Sequence, residues 1–223
     1  MKWKLKAIGG SGGYAKIGET VYHLKSCDEI ILENSCLPDQ IELVSQKGKF
    51  ADSEDSFLYL FCEIDPAKEN IDISADFSVL KSEMIPDYQT GYGILAADTA
   101  FSGANEDNGG RCRHRNQLMT GRFRTIYGQN HGYGMRVISG YTSPDASEYT
   151  QVRKLDPTRV FSCQEAEDKI IFGDTCRLRL VKNNQGFHAC ITKNAVTDTL
   201  EFPGCDFLLR QNSNTIAFGF AAA

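Results

Sequence analysis

Residues 70–80, NIDISADFSVL, alternate without a break. Ile71, Ile73, Ala75, Phe77 and Val79 point one way, and Asp72, Ser74, Asp76 and Ser78 the other. A period of two marks a strand with one face on a core and one in water. FLYLFCEI (57–64) is apolar at both parities, which predicts a central strand covered on both sides. CRLRLVKN followed by QGFHACIT reads as a hairpin, with Asn183-Asn184-Gln185-Gly186 supplying residues that tolerate positive φ. VTDTLEF and TIAFGF look like further strands, and KWKLKAI, EIILEN, IELVSQ, GYGILAAD, LMTGRFRTIY and GYGMRVISGY are weaker examples. Helical patterning is scarce. DPAKEN predicts a single turn, with Asp65 as N-cap and Pro66 at the first helical position. The Gly-rich GGSGG (9–13) reads as a loop between early strands, and no repeat or linker interrupts the chain. Many short strands with Gly, Asn and Asp turns indicate an all-β fold, a single antiparallel two-sheet β-sandwich or jelly roll over residues 1–223.

Composition adds bounds. The chain has 223 residues with 41% hydrophobic content, enough for one large β domain with its own core. No window approaches the run of about 18 apolar residues that a membrane-spanning helix needs, so no membrane partner is expected. MKWKLKAIGGSGG lacks the apolar stretch of a signal peptide. The expected location is therefore the cytoplasm, or a processed module of a secreted bacterial protein. NTIAFGFAAA runs as a strand up to Ala223, which suggests a module of a longer polypeptide. The eight cysteines (27, 36, 62, 112, 163, 176, 190 and 205) include no CxxC pair, so a structural zinc site is poorly supported. Cys62 lies in phase with Leu58, Leu60 and Ile64, and Cys176 with Leu178 and Leu180, the pattern of small buried apolar residues. Reduced thiols are the favoured reading.

DSFLYLFCEIDPAKENIDISADFSVL, DYQTGYGILAADT, QLMTGRFR…GYGMRVISG and IAFGFAAA occur in that order. Together, over roughly residues 55 to 223, they resemble a concanavalin-like (lectin/glucanase-type) β-sandwich module found beside polysaccharide-degrading domains in bacteria. Such modules commonly accompany pectin-active β-helix lyases or other glycan-active enzymes. The resemblance implies a carbohydrate partner and a glycan-active domain in the same chain. It carries over no catalytic residue.

Charge is unevenly spread. From Asn108 to Pro144 there is no Asp or Glu and no Lys, but there are six arginines (111, 113, 115, 122, 124, 136). With His neutral this segment is +6, and a net charge of −5 for the whole chain leaves −11 elsewhere. A planar guanidinium donates two parallel hydrogen bonds to a carboxylate, and it stacks on flat faces. Phe123, Tyr127, Tyr133 and Tyr141 are interleaved, and aromatic rings beside polar donors suit sugar rings. By alternation Arg122 and Arg124 share a face with Leu118 and Thr120, and Arg136 with Gly134 and Ile138. If the two strands pair, one sheet face could carry the arginines. The candidate ligand contacts are thus Arg122, Arg124, Arg136, Tyr127, Tyr133, Tyr141 and His131. The plain alternative is a charge ladder in which the arginines pair with Asp72, Asp76 or Asp98, contacts worth little when exposed.

Other chemistries are weaker. A β-jelly-roll polysaccharide lyase would use Arg to neutralise a uronate and Tyr or His as base and acid; Arg122, Arg124, Gln129, His131 and Tyr133 supply the types. A glycoside hydrolase needs two facing carboxylates, and Glu63 and Asp65 share a face at i, i+2, although Pro66 suggests a strand ending in a turn. Asp98, Asn105 and Asp107 offer oxygen donors for a structural calcium, but their spacing does not fit an EF-hand loop. No other cofactor is implied. A pI near 5.4 argues against nucleic acid. The expectation is a noncatalytic carbohydrate-binding or accessory module for an acidic, uronate-containing polysaccharide such as pectin. A lyase or hydrolase, or a purely structural module packing on a catalytic neighbour, stands as the alternative.

Overall fold

The computed structural model describes residues 1–33, 35–50, 55–81, 89–98, 116–125, 130–139, 154–161, 173, 175–210 and 214–223; for 124–125, 130–131 and 154–160 it describes the backbone only. The protein is an all-β sandwich built from antiparallel ladders. The large sheet runs in the order β11 (Lys154–Val160), β10 (Asn130–Ser139), β9 (Gln117–Thr125), β8 (Tyr92–Asp98), β15 (Ile216–Ala222), β6 (Phe57–Ile64), β1 (Trp3–Ile8) and β4 (Glu29–Ile31). A second sheet has the order β14 (Val196–Pro203), β13 (Gly186–Lys193), β12 (Thr175–Asn183) and β7 (Ile71–Ser78). Where sequence predicted two sheets there is a third, β3 (Thr20–Leu24), β2 (Gly12–Ile17) and β5 (Ile41–Gln46). Residues of both smaller sheets join the main core, so both help to cover the large one.

The strand of double parity behaves as its pattern demands. In β6 the even residues Leu58, Leu60, Cys62 and Ile64 enter the main core with Leu178, Leu180, Ala189 and Ile191 of the second sheet. The odd residues Phe57, Tyr59 and Phe61 enter a separate cluster on the other face, with Ile8, Leu95, Met119 and Phe123. Burying each such side chain contributes roughly 1.5–3 kcal/mol, so both faces matter to stability. In β7 the alternation separates an inner row, Ile71, Ile73 and Phe77, from the exposed Asp72, Ser74, Asp76 and Ser78. Aromatic rings stitch the layers: Phe187 stacks on Phe218 with centroids 6.3–6.4 Å apart in the same manner as Trp3 on Phe220.

Turn chemistry sets the registers. The β12–β13 hairpin closes through Asn184-Gln185, with Asn183 opposite Gly186, and the Asn183 side chain accepts the Gln185 amide at 2.8 Å. Gly186 has φ of +133°, and a Cβ there would lie 2.3 Å from the Phe202 carbonyl oxygen. Asn194 and Ala195, both at positive φ, make the next two-residue turn. The DPAKEN turn forms as expected, with Asp65 Oδ1 accepting the Ala67 amide at 3.0 Å. Strand β11 was not legible because Pro157 breaks its pattern. It is an edge strand, and its pairing with β10 shifts register between Met135 and Val137.

Candidate functional site

The arginine-rich segment enters the large sheet as β9 and β10, and their register decides where its side chains go. Arg122 pairs with Tyr133, and Met119 with Arg136. Paired residues sum to an odd number, so an even position on β9 shares its face with an odd position on β10. Arg122 therefore turns toward Tyr133 and the main core, whereas Arg136 lies on the Met119 face. The expectation that one face carries the arginines is corrected: the ladder divides them.

Both of these arginines are interior. Arg122 is 2% exposed, and its guanidinium carbon lies 5.4 Å from the centroid of the Tyr133 ring. Tyr133 is 1% exposed, with its hydroxyl 2.7 Å from that of Tyr92. Burial, and then the neighbouring Tyr92, push the Tyr133 phenol far above its usual range. Arg136 is 4% exposed and places Nη2 3.6 Å from Asp55 Oδ1; Asp55 also accepts a hydrogen bond from Gln117 Nε2. Three of the seven predicted contacts are thus buried, Arg122 and Tyr133 on the main-core face of the large sheet and Arg136 on its other face, out of reach of a polymer in solvent. Arg124 and His131 are placed by backbone alone, and Tyr127 and Tyr141 fall outside the described residues. Of the calcium donors, Asp98 is buried and accepts the Asn116 amide at 2.7 Å, while Asn105 and Asp107 lie outside the described residues. The two carboxylates considered for glycoside hydrolysis have structural partners: Glu63 accepts from Lys4 Nζ at 2.7 Å, and Asp65 caps its turn and pairs with Lys68 at 2.8 Å.

A different set of charged groups meets solvent. On the outer face of the second sheet the registers align three cross-strand rows. The first is Thr197, Thr192, Arg177 and Asp76; the second Thr199, Cys190, Arg179 and Ser74; the third Glu201, His188, Val181 and Asp72. Arg177 donates through Nε and Nη2 to both Asp76 oxygens at 2.8 and 2.6 Å. Arg179 donates to Asp72 in the same fork, at 2.8 and 2.5 Å. Thr192 and Thr197 hydroxyls are 2.9 Å apart, and His188 Nδ1 lies 3.2 Å from Glu201. The guanidinium hydrogen bonds hold the Asp72 and Asp76 carboxyls below the usual carboxylate range and raise the arginines in turn.

This face is not flat. A depression of about 640 Å³ is lined by Asp72, Ser74, Arg177, Arg179, Cys190, Thr192 and Thr197. A second, of about 380 Å³, is lined by Asp76, Thr175, Cys176, Arg177, Thr192, Lys193 and Asn194. Arg177 and Thr192 belong to both, so the two join along β12 and β13. Its lining resembles the inventory by which proteins read sugar hydroxyls, with carboxylate acceptors, guanidinium donors and threonine hydroxyls side by side. Sequence reasoning passed over Arg177 and Arg179, yet the signal was present: they alternate with Cys176, Leu178 and Leu180, opposite the equally alternating Asp72, Ser74 and Asp76. Among the described residues, no three His, Cys, Asp or Glu side chains gather as a metal site. Cys27, Cys36, Cys62, Cys176, Cys190 and Cys205 are free thiols.

Residues 15–223 match a family model described as the pectate disaccharide-lyase N-terminal domain. The chain belongs to that family. Membership reaches well upstream of the motifs that first suggested a pectin-associated module, and takes in the three-stranded sheet from Ala15 onward. The matched residues include all four strands of the second sheet, β7, β12, β13 and β14. No curated protein matches the chain.

Proposed function

We propose that the chain is a noncatalytic accessory module that binds an acidic, uronate-containing glycan on behalf of a glycan-active domain in the same polypeptide. The groove across β12 and β13 is the binding surface. The observation that carries this reading is the pair of solvent-facing Arg–Asp forks flanked by threonine hydroxyls in an open depression, on a domain whose family is named for pectate lyases. Each fork leaves guanidinium N–H groups and carboxylate lone pairs unused, on side chains that are half or more exposed. A vicinal diol on a sugar ring needs such a donor–acceptor pair. The groove is wide and open, which suits a polymer passing through better than a substrate enclosed for chemistry.

Affinity electrophoresis through gels cast with polygalacturonate, pectin or a neutral glucan tests the reading, in parallel with ultraviolet absorbance for unsaturated uronate products. Retardation on the acidic polymers without absorbance supports it. Product absorbance would replace it with a lyase, and migration unchanged on every polymer would leave a structural module packing on its catalytic neighbour.

A further inference from the structure

We infer that the outer face of the third sheet carries a second glycan site, a stacking platform of Tyr14 and His23 that takes an uncharged sugar ring. This rests on the reading of the chain as a glycan-binding module and adds a site that shares no residue with the groove. Parity places the platform. On β2, β3 and β5 the residues Ala15, Ile17, Tyr22, Leu24, Ile41 and Leu43 enter the main core or pack against it. Their neighbours along the strands, Tyr14, Lys16, Val21, His23, Glu42 and Val44, take the opposite face. Of these, Lys16, Val21 and His23 are exposed, and Tyr14, Glu42 and Val44 are half-buried.

The register then brings the chemistry together. Tyr14 sits opposite His23 on one side and Val44 on the other, and Lys16 sits opposite Glu42. The Tyr14 and His23 ring centroids are 6.1 Å apart, with the rings tilted by 53°. Tyr14 donates its hydroxyl proton to Oε1 of Glu42, a diagonal neighbour, which fixes the ring on the sheet. An aromatic ring held on a solvent-facing sheet seats the C–H face of a sugar, and Glu42 keeps lone pairs for the hydroxyls around it. Charge decides between ligands. A carboxylate beside the ring repels a uronate, whereas it accepts hydrogen bonds from a neutral sugar. Lys16 and Glu42 next to the rings also tell against a protein partner, because charged residues are depleted at the centre of such interfaces. Galactose, whose C–H bonds cluster on one face of the ring, meets both requirements. The inner residues of the second and third sheets pack on the same face of the large sheet, with Leu58, Leu60 and Ile94. Platform and groove therefore open on the same side of the module, and a polymer with an acidic backbone and neutral branches would meet both.

The test is affinity electrophoresis of wild type, Tyr14→Ala, Tyr14→Phe and the Arg177→Ala/Arg179→Ala double variant through gels cast with galactan or polygalacturonate, with sedimentation velocity alongside. Galactan is expected to retard wild type and the double variant alike. Tyr14→Ala should bind galactan roughly three- to tenfold more weakly, the range for losing one aromatic contact. A cooperative melting transition shows that this variant is folded, and its retardation by polygalacturonate should not change. Tyr14→Phe keeps the ring and should retain galactan binding. Retardation of wild type by polygalacturonate but not by galactan, or equal retardation of wild type and Tyr14→Ala by galactan, overturns this inference alone. A dimer that dissociates in Tyr14→Ala would make a second copy of the chain the occupant, and overturns it as well. Retardation by galactan alone, weakened in Tyr14→Ala, upholds the platform and removes the groove. Failure of both polymers to retard wild type overturns the inference together with the proposed function.

Discussion

Arg136 offers the sharpest separation between a ligand contact and a structural one. Its Nη2 is 3.6 Å from Asp55 Oδ1, and both side chains are under a tenth exposed. At an effective dielectric of about 20 this distance corresponds to a gross attraction of roughly 4–5 kcal/mol, much of it offset by desolvation of the two ions. Replacing Arg136 by Met keeps most of the volume and removes the charge. Asp55 is then left as a buried carboxylate with Gln117 Nε2 still donating to it. Breaking one side of a buried pair costs roughly 3–5 kcal/mol. For a domain of this size each kcal/mol lowers the melting temperature by roughly 2–4 °C, so a fall of roughly 6–20 °C is expected. Scanning calorimetry measures the shift, and affinity electrophoresis at a temperature where the variant is folded measures binding, which should be intact. A melting temperature within about a degree of wild type, together with lost glycan binding, would refute the reasoning. It would return Arg136 to the role its sequence neighbourhood suggested.

Four further outcomes are expected. Arg177→Ala and Arg179→Ala together should abolish retardation on polygalacturonate while leaving the melting temperature nearly unchanged, because their ion pairs are exposed and screened. Asp72 and Asp76 have folded-state values below the ordinary 3.8, so the forks contribute fully above that pH and are lost only as pH falls below it. Glycan binding followed by electrophoresis should accordingly persist at pH 5 and decline in stronger acid, and a loss between pH 7 and 5 would refute the role given to the forks. Among the described thiols, exposed Cys36 should react first with a thiol reagent, whereas Cys62, buried and pushed up to about 11, should react only on unfolding, as quantitative labelling with and without denaturant would show. Ala195→Gly should raise stability by roughly 0.5–1 kcal/mol in urea titrations, because Ala195 holds φ of 63° in a tight turn.

What could be read in advance followed from side-chain parity. NIDISADFSVL, FLYLFCEI and the Asn183–Gly186 hairpin appear in the structure as β7, β6 and the β12–β13 pair, because each encodes its own exposed and buried faces locally. Which face of a strand meets its neighbour's is a property of register. The odd sum that pairs Arg122 with Tyr133 and separates Arg122 from Arg136 is a matter of how the two strands are aligned, which the alternation within either strand does not encode. Exposure was also hidden. A charge cluster implies a surface only when one face of the sheet is wet, and the large sheet is buried on both. The groove arginines drew no notice because the eye follows density of like charge. Arg177 and Arg179 are spaced thinly in sequence, and their counter-ions lie about a hundred residues upstream.

One strand makes demands on how the molecule is assembled. β15 lies between β8 and β6 and is hydrogen-bonded to both, so among the described strands it alone unites β11-β10-β9-β8 with β6-β1-β4. During synthesis these two blocks must wait as open-edged ribbons until Ile216–Ala222 has cleared the ribosome. Long-range closure of this kind is slow. The nascent module is thus exposed to edge-to-edge misassociation until that strand emerges, and its yield in a cell depends on how well chaperones shelter those two borders until the keystone arrives.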